Sequence, residues 1–147
     1  MPRSFNFSEA PGHLIRRAQQ LAVAVFMDET TAFGATPVQF AILNALIDDP
    51  GEDQITLSSR VAFDPATLGS VIGRIEAKGW VTRKADPYDK RRKLLWITPD
   101  GEKMALGMKR VVTKAQHRIL EPLNPSEREQ LLGLLAKLVA GHENSAT

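Results

Sequence analysis

Residues 64–101, DPATLGSVIGRIEAKGWVTRKADPYDKRRKLLWITPDG, decide the fold. Asp64-Pro65 joins a capping side chain to a proline suited to the first helical position. Behind it Leu68, Val71, Ile72 and Ile75 share one helical face, while Thr67, Ser70 and Arg74 share another at i, i+3, i+7. Gly79 marks the end of the helix as a C′ residue. Two β-prone runs, 80–84 and 93–98, flank the turn-rich Asp86-Pro87-Tyr88-Asp89 and predict a hairpin. From Arg74 to Lys93 eight Lys or Arg stand against three acids, a local charge of +5 on a chain of +2, which leaves −3 for the rest. Such a concentration is the footprint of a polyanion-binding surface, and a helix followed by a basic hairpin fits double-stranded DNA.

Working outward, residues 9–29 carry Leu14, Ala18, Leu21, Ala22, Val25 and Phe26 at helical spacing, with Pro11 in the first turn and Gly34 past the end. Thr36-Pro37 opens a second helix that buries Phe40, Ile42, Leu43, Leu46 and Ile47 and stops at Asp49-Pro50-Gly51. Residues 56–62 predict a short helix with Thr56 as its cap. Thr98-Pro99 opens a long helix with Glu102 in its first turn and a stripe of Met104, Met108, Val111, Val112, Ala115 and Ile119. Pro122 and Pro125 break it, and 126–140 form a last helix carrying Leu131, Leu132, Leu134, Leu135, Leu138 and Val139. That apolar face is too wide for a helix with one neighbour. The order α-α-α-α-β-β-α-α makes a mainly α fold with a small β wing, a winged helix-turn-helix framed by long helices. Within the recognition helix Gly69 and Gly73 each cost about 1 kcal/mol relative to Ala, which predicts the close approach of a neighbouring helix or a ligand backbone.

Composition narrows the function. With 147 residues, 43% hydrophobic and 24% charged, the chain is one globular domain. No apolar run approaches the roughly 18 to 20 residues of a membrane span, and the first residues lack the apolar core of a signal peptide, so no membrane association and a cytoplasmic location are expected. The chain has no cysteine, which removes disulfides, thiolate metal sites and thiol redox sensing. His13, His117 and His142 are its three histidines, none at metal-ligand spacing, and no metal or cofactor is expected. No nucleophile–base pair and no phosphate-cradling glycine loop argue for an enzyme.

DNA's major groove admits an α-helix, whose outward polar side chains read base edges. Thr67, Ser70 and Arg74 suit that role, with Pro65 and Ala66 placed to meet a thymine methyl or a phosphate. Taken alone, this is also the solvated face of any amphipathic helix. The hairpin tips the balance, because Lys90, Arg91, Arg92 and Lys93 repel one another at its tip and gain nothing for folding; phosphates and a minor groove explain them better. The competing reading is a winged-helix protein-interaction module without DNA binding.

The chain resembles the MarR family of transcriptional regulators over essentially its whole length. The residues that carry the resemblance are Asp64-Pro65-Ala66-Thr67, the segment Arg74-Ile75-Glu76-Ala77-Lys78-Gly79-Trp80-Val81, and the wing from Asp86 to Arg92 closing on Ile97-Thr98-Pro99-Asp100-Gly101. The family's wing typically reads Asp-Arg-Arg, and here it reads Asp89-Lys90-Arg91. Lysine cannot fork to two acceptors, so the departure favours Arg91 or Arg92 as the minor-groove reader. The resemblance implies that Asp89 braces Arg91. It also implies one domain over 1–147, with the winged helix-turn-helix at 36–101 and dimerisation helices at 1–35 and 102–147. The homodimer's helices would interleave, and the wide leucine face, with Phe5 and Phe7 on an N-terminal arm, agrees. A twofold dimer calls for a pseudo-palindromic operator with half-sites about one turn, ~10 bp, apart.

Regulators of this kind often release DNA on binding a small aromatic acid between the dimer helices and the winged helix. His13 with Arg17, and Arg16 with Gln20, are spaced i, i+4, and a cationic cluster beside Phe40 or Trp96 would suit a planar carboxylate. The plainer reading of these side chains is an exposed or dimer-facing basic patch. The expected function is thus a dimeric DNA-binding regulator, a repressor released by an aromatic acid.

Overall fold

A computed structural model describes residues 4–145; the first three and last two residues of the expected 1–147 domain lie outside it. Helix α1 spans Pro11–Thr30 and runs into a tight 3-10 turn at Thr31–Phe33, which Gly34 closes with φ +69°. The second helix, α2, spans Pro37–Asp48 and opens with a reciprocal box in which Thr36 Oγ1 accepts from the Gln39 amide and Gln39 Oε1 from the Thr36 amide. Helices α3 (Gln54–Arg60) and α4 (Pro65–Ala77) form the helix-turn-helix. Strands β2 (Val81–Ala85) and β3 (Lys93–Ile97) form the wing, and α5 (Pro99–Ile119) and α6 (Pro125–Ser145) complete the chain.

Three expectations need correction. The sheet has three strands, not two. Glu52–Asp53 forms a short strand, β1, paired antiparallel with β3 so that Glu52 faces Leu95 and Asp53 faces Leu94, giving the order β1-β3-β2. A left-handed Gly51 (φ +80°) makes this pairing: its amide donates to Leu95, and a Cβ there would lie 2.7 Å from the Trp96 ring. Only glycine fits under that indole. Consequently α3 begins two residues earlier than expected, and its cap is Asp53, whose carboxylate accepts from both the amide and the hydroxyl of Thr56.

The core lies inside the winged helix, where Ile42, Leu43, Leu46, Leu57, Leu68, Ile72, Ile75, Leu95 and Met108 are fully buried. Met108 enters from α5, so the long helix shares this core. Its start is fixed tightly: the Thr98 amide donates to the Trp80 carbonyl (3.0 Å), the Thr98 hydroxyl donates to the Gly79 carbonyl (2.6 Å), and the Gly101 amide donates to that hydroxyl (3.0 Å). A Cβ on Gly101 would lie 2.1 Å from the Trp80 oxygen. By contrast, the stripe expected to be buried on α1 is covered only at its C-terminal end, at Phe26 and Thr30; Leu14 and Leu21 are exposed. On α6, Leu132, Leu134, Leu135, Leu138 and Val139 are exposed too.

Candidate nucleic-acid interface

Helix α4 divides as its sequence pattern demands. Leu68, Ile72 and Ile75 face the core, while Pro65, Ala66, Thr67, Ser70 and Arg74 are exposed. Asp64 fixes the start: its carboxylate accepts from the amides of Ala66 (3.0 Å) and Thr67 (3.3 Å) and from the Thr67 hydroxyl. That hydroxyl, followed by the Ala66 amide, holds the Asp64 carboxyl below its ordinary range. The Thr67 hydroxyl is thereby engaged at the helix start.

Of the two helix glycines, Gly69 is crowded by a side-chain tip rather than a neighbouring helix backbone, while a Cβ at Gly73 would make only an ordinary van der Waals contact, so nothing in the structure explains that glycine. A Cβ on Gly69 would lie 3.0 Å from Gln54 Nε2, and one on Gly73 would lie 3.7 Å from Arg83 Nη2. Arg83 reaches from β2 across α4, donates to the Gly69 carbonyl (3.3 Å) and sits 3.7 Å from Glu76. Wing and recognition helix are thereby tied together by a residue that sequence reasoning missed, since an arginine in a basic stretch carries no sign of facing inward.

The wing tip is a closed turn. The Tyr88 amide donates to Asp86 Oδ1 (2.8 Å), the Asp86 amide to the Arg92 carbonyl (3.1 Å) and the Arg92 amide to the Asp89 carbonyl (3.0 Å). The expected brace of Asp89 on the Arg91 guanidinium is not formed: Asp89 Oδ1 accepts the Arg91 backbone amide instead (3.0 Å). The braced arginine is Arg92, which donates to Asp53 (2.8 Å) and pairs with Asp86 (3.5 Å). Asp53, missed in the sequence, thus caps α3 and latches the wing at once. The Thr56 amide first, then the Thr56 hydroxyl and Arg92, draw its carboxyl down from 3.8 to about 2 against the opposing effect of burial. Lys90 and Arg91 remain exposed at the tip. A hollow of about 210 Å3, lined by Ile55, Pro65, Arg91, Arg92 and Lys93 among others, brings the start of α4 and the base of the wing to one surface.

The residues expected around an effector are not brought together in one protomer. On α1, Arg16 bonds to His13 Nδ1 (3.1 Å) and Arg17 to Gln20 (3.2 Å), so the pairs are i, i+3 rather than i, i+4. Phe7 packs on His13, ring centroids 4.7 Å apart, and lies under Arg16. Phe40 meets Phe26, which lies about 20 Å along α1 from His13 at 1.5 Å per residue. Trp96 is elsewhere, over Gly51 with Lys84 beside it. A cleft of about 470 Å3 does open between α5 and the winged helix, with Phe33, Trp80 and Met104 as apolar walls and Lys78 and Lys103 as cations. Lys78 there donates to the Gly34 carbonyl (2.7 Å) and lies over the Trp80 ring.

Known proteins place this architecture. The sequence profile of the MarR family matches residues 33–92. The HTH-type transcriptional repressor NicR of Pseudomonas putida is 30% identical over 96% of this chain and 89% of its own length. The chain belongs to the MarR family. MarR-family proteins are transcriptional regulators and not enzymes, and this chain is accordingly a DNA-binding regulator. Among solved structures, Bordetella bronchiseptica BpsR, whose DNA binding is regulated by 6-hydroxynicotinic acid, is 34% identical with a TM-score of 0.88, covering 92% of this chain and 97% of BpsR. The repressor CouR bound to a 23-mer DNA duplex is 27% identical with a TM-score of 0.83, covering 90% and 94% of the two chains. No single helix among the described residues is long and apolar enough to cross a membrane.

Proposed function

We propose that this regulator works in the cytoplasm as a homodimeric repressor that leaves a pseudo-palindromic operator when a small aromatic carboxylate binds. One observation carries the DNA contacts: Pro65, at the start of the exposed face of α4, and the wing cations Arg91, Arg92 and Lys93 line a single hollow, in which Asp53 holds Arg92. Thr67, Ser70 and Arg74 then reach base edges, Pro65 and Ala66 lie against phosphate or a thymine methyl, and Lys90 and Arg91 take the backbone and minor groove. Arg92 contributes through the latch on Asp53. Residues 36–101 form the DNA-reading unit of one domain, and 1–35 and 102–147 its dimerisation helices. Exposed leucines on α1 and α6 support the dimer, since apolar surface of that extent needs a second surface.

For the effector, the likeness to BpsR makes 6-hydroxynicotinic acid the first probe. The α1 cations Arg16 and Arg17 supply charge for its carboxylate, with His13 beside them and Phe40 and Trp96 as the expected rings. The cleft between Trp80 and Lys103 offers a second placement.

The test is selection of duplexes from random DNA on the protein, followed by binding over a range of salt. Arg91→Ala should weaken binding to every duplex and make the log–log salt slope shallower by about one unit. Added 6-hydroxynicotinate should release the DNA. An Arg16→Ala, Arg17→Ala double variant that still binds but resists release puts the acid on α1; the same behaviour in Lys103→Ala puts it in the cleft. Recovery of no duplex at all would sink the DNA reading.

A further inference from the structure

Tyr88 is the sole tyrosine of the chain and stands at the wing tip 98% exposed. Its backbone amide is held by Asp86, and the fold makes no use of its ring. Tight turns are ordinarily built from small polar residues, and a large ring in water contributes nothing to folding. The turn beneath it is stiff, closed by the Asp86, Asp89 and Arg92 hydrogen bonds and latched to Asp53. Lys90 and Arg91 are exposed beside it. A rigid cationic tip carrying one aromatic ring with a hydroxyl at its far end is matched to a narrow polyanionic groove with acceptors on its floor.

Building on the DNA-binding reading above, we infer that Tyr88 is a specificity-determining residue that enters the minor groove edge-on beside Arg91 and selects A·T over G·C base pairs under the wing. The groove is about 6 Å wide, enough for one ring on edge. Its walls are deoxyribose, against which the ring packs. Its floor at A·T or T·A offers only the acceptors N3 and O2, to which the phenol donates; at G·C the N2 amino group projects into the same space as a competing donor.

The experiment uses the full chain and a duplex selected from random DNA on the wild-type protein, with the wing footprint located by hydroxyl-radical protection. The pairs under the wing are then set to A·T, G·C or inosine·C, the last having no N2 amino group. Wild type should bind the A·T and inosine·C duplexes alike and the G·C duplex about tenfold more weakly. Tyr88→Phe should lose most of that ratio, and Tyr88→Ala should bind all three equally and about tenfold more weakly than wild type binds A·T. Because the side chain is fully exposed, both variants should melt with the wild type. Tyr88→Ala with unchanged affinity and unchanged ratio would overturn the assignment, as would an inosine·C duplex that behaves like G·C. A wild type that selects no duplex would instead remove the DNA-binding reading itself.

Discussion

At Gly101 the backbone of α5 approaches the Trp80 carbonyl so closely that a methyl group would sit 2.1 Å from its oxygen. Backbone cannot give way there as a side-chain tip can, so Gly101→Ala must displace the helix start or the strand. The expected cost is about 3 kcal/mol, read as a lower urea midpoint. The sequence contains this residue within an Ile97-Thr98-Pro99-Asp100-Gly101 run, but its reason lies in a contact 21 positions away along the chain and could not be read there. Arg91 and Arg92 show the same limit. They are neighbours of identical chemistry, and only the position of Asp53 in space makes one a latch and leaves the other exposed.

Among elements, those with a local signal were legible. Thr36, Asp64 and Thr98 all cap the helices they were expected to cap, because a capping oxygen acts on amides two or three residues ahead. Strand β1 was not, since two residues have no periodicity and their partner is β3. The α3 cap was misread because Asp53 and Thr56, both capping types, sit three residues apart and bond to each other. The latch this creates has a pH signature. Asp53 titrates near 2 in the folded chain against an ordinary 3.8, so its stabilising effect is complete above about pH 4 and is lost as pH falls towards 2. Asp53→Asn keeps a good capping residue but removes the charge. Across that window, urea midpoints of the variant should fall less steeply than those of wild type; parallel curves would show that the carboxylate contributes nothing there.

For the whole molecule, burial separates two kinds of apolar surface. The winged helix closes its core within one chain, while α1 and α6 leave Leu21, Leu134 and their neighbours in solvent. The width of the α6 face was visible in the sequence; that most of the α1 stripe would also stay uncovered was not, because periodicity shows that a face is apolar without showing what covers it. Leu134 is 65% exposed in the isolated chain, so Leu134→Glu should cost a monomer little. Sedimentation should nonetheless show dissociation, and the melting temperature should lose its dependence on protein concentration. The scattered effector residues belong to this scale too, since charges and rings at suitable spacing on α1 say nothing of where Trp96 will lie.

The junction at Thr98 gives α5 a mechanical meaning. With its first turn bonded to Gly79 and Trp80, the helix cannot swing relative to the DNA-reading unit and must carry that unit along. Its 21 residues make a lever about 31 Å long, so a tilt of about 10° about one end sweeps the other through about 5 Å. One base-pair step is about 3.4 Å. A tilt of about 10° is therefore enough to shift a reading head by more than one base-pair step along the double helix.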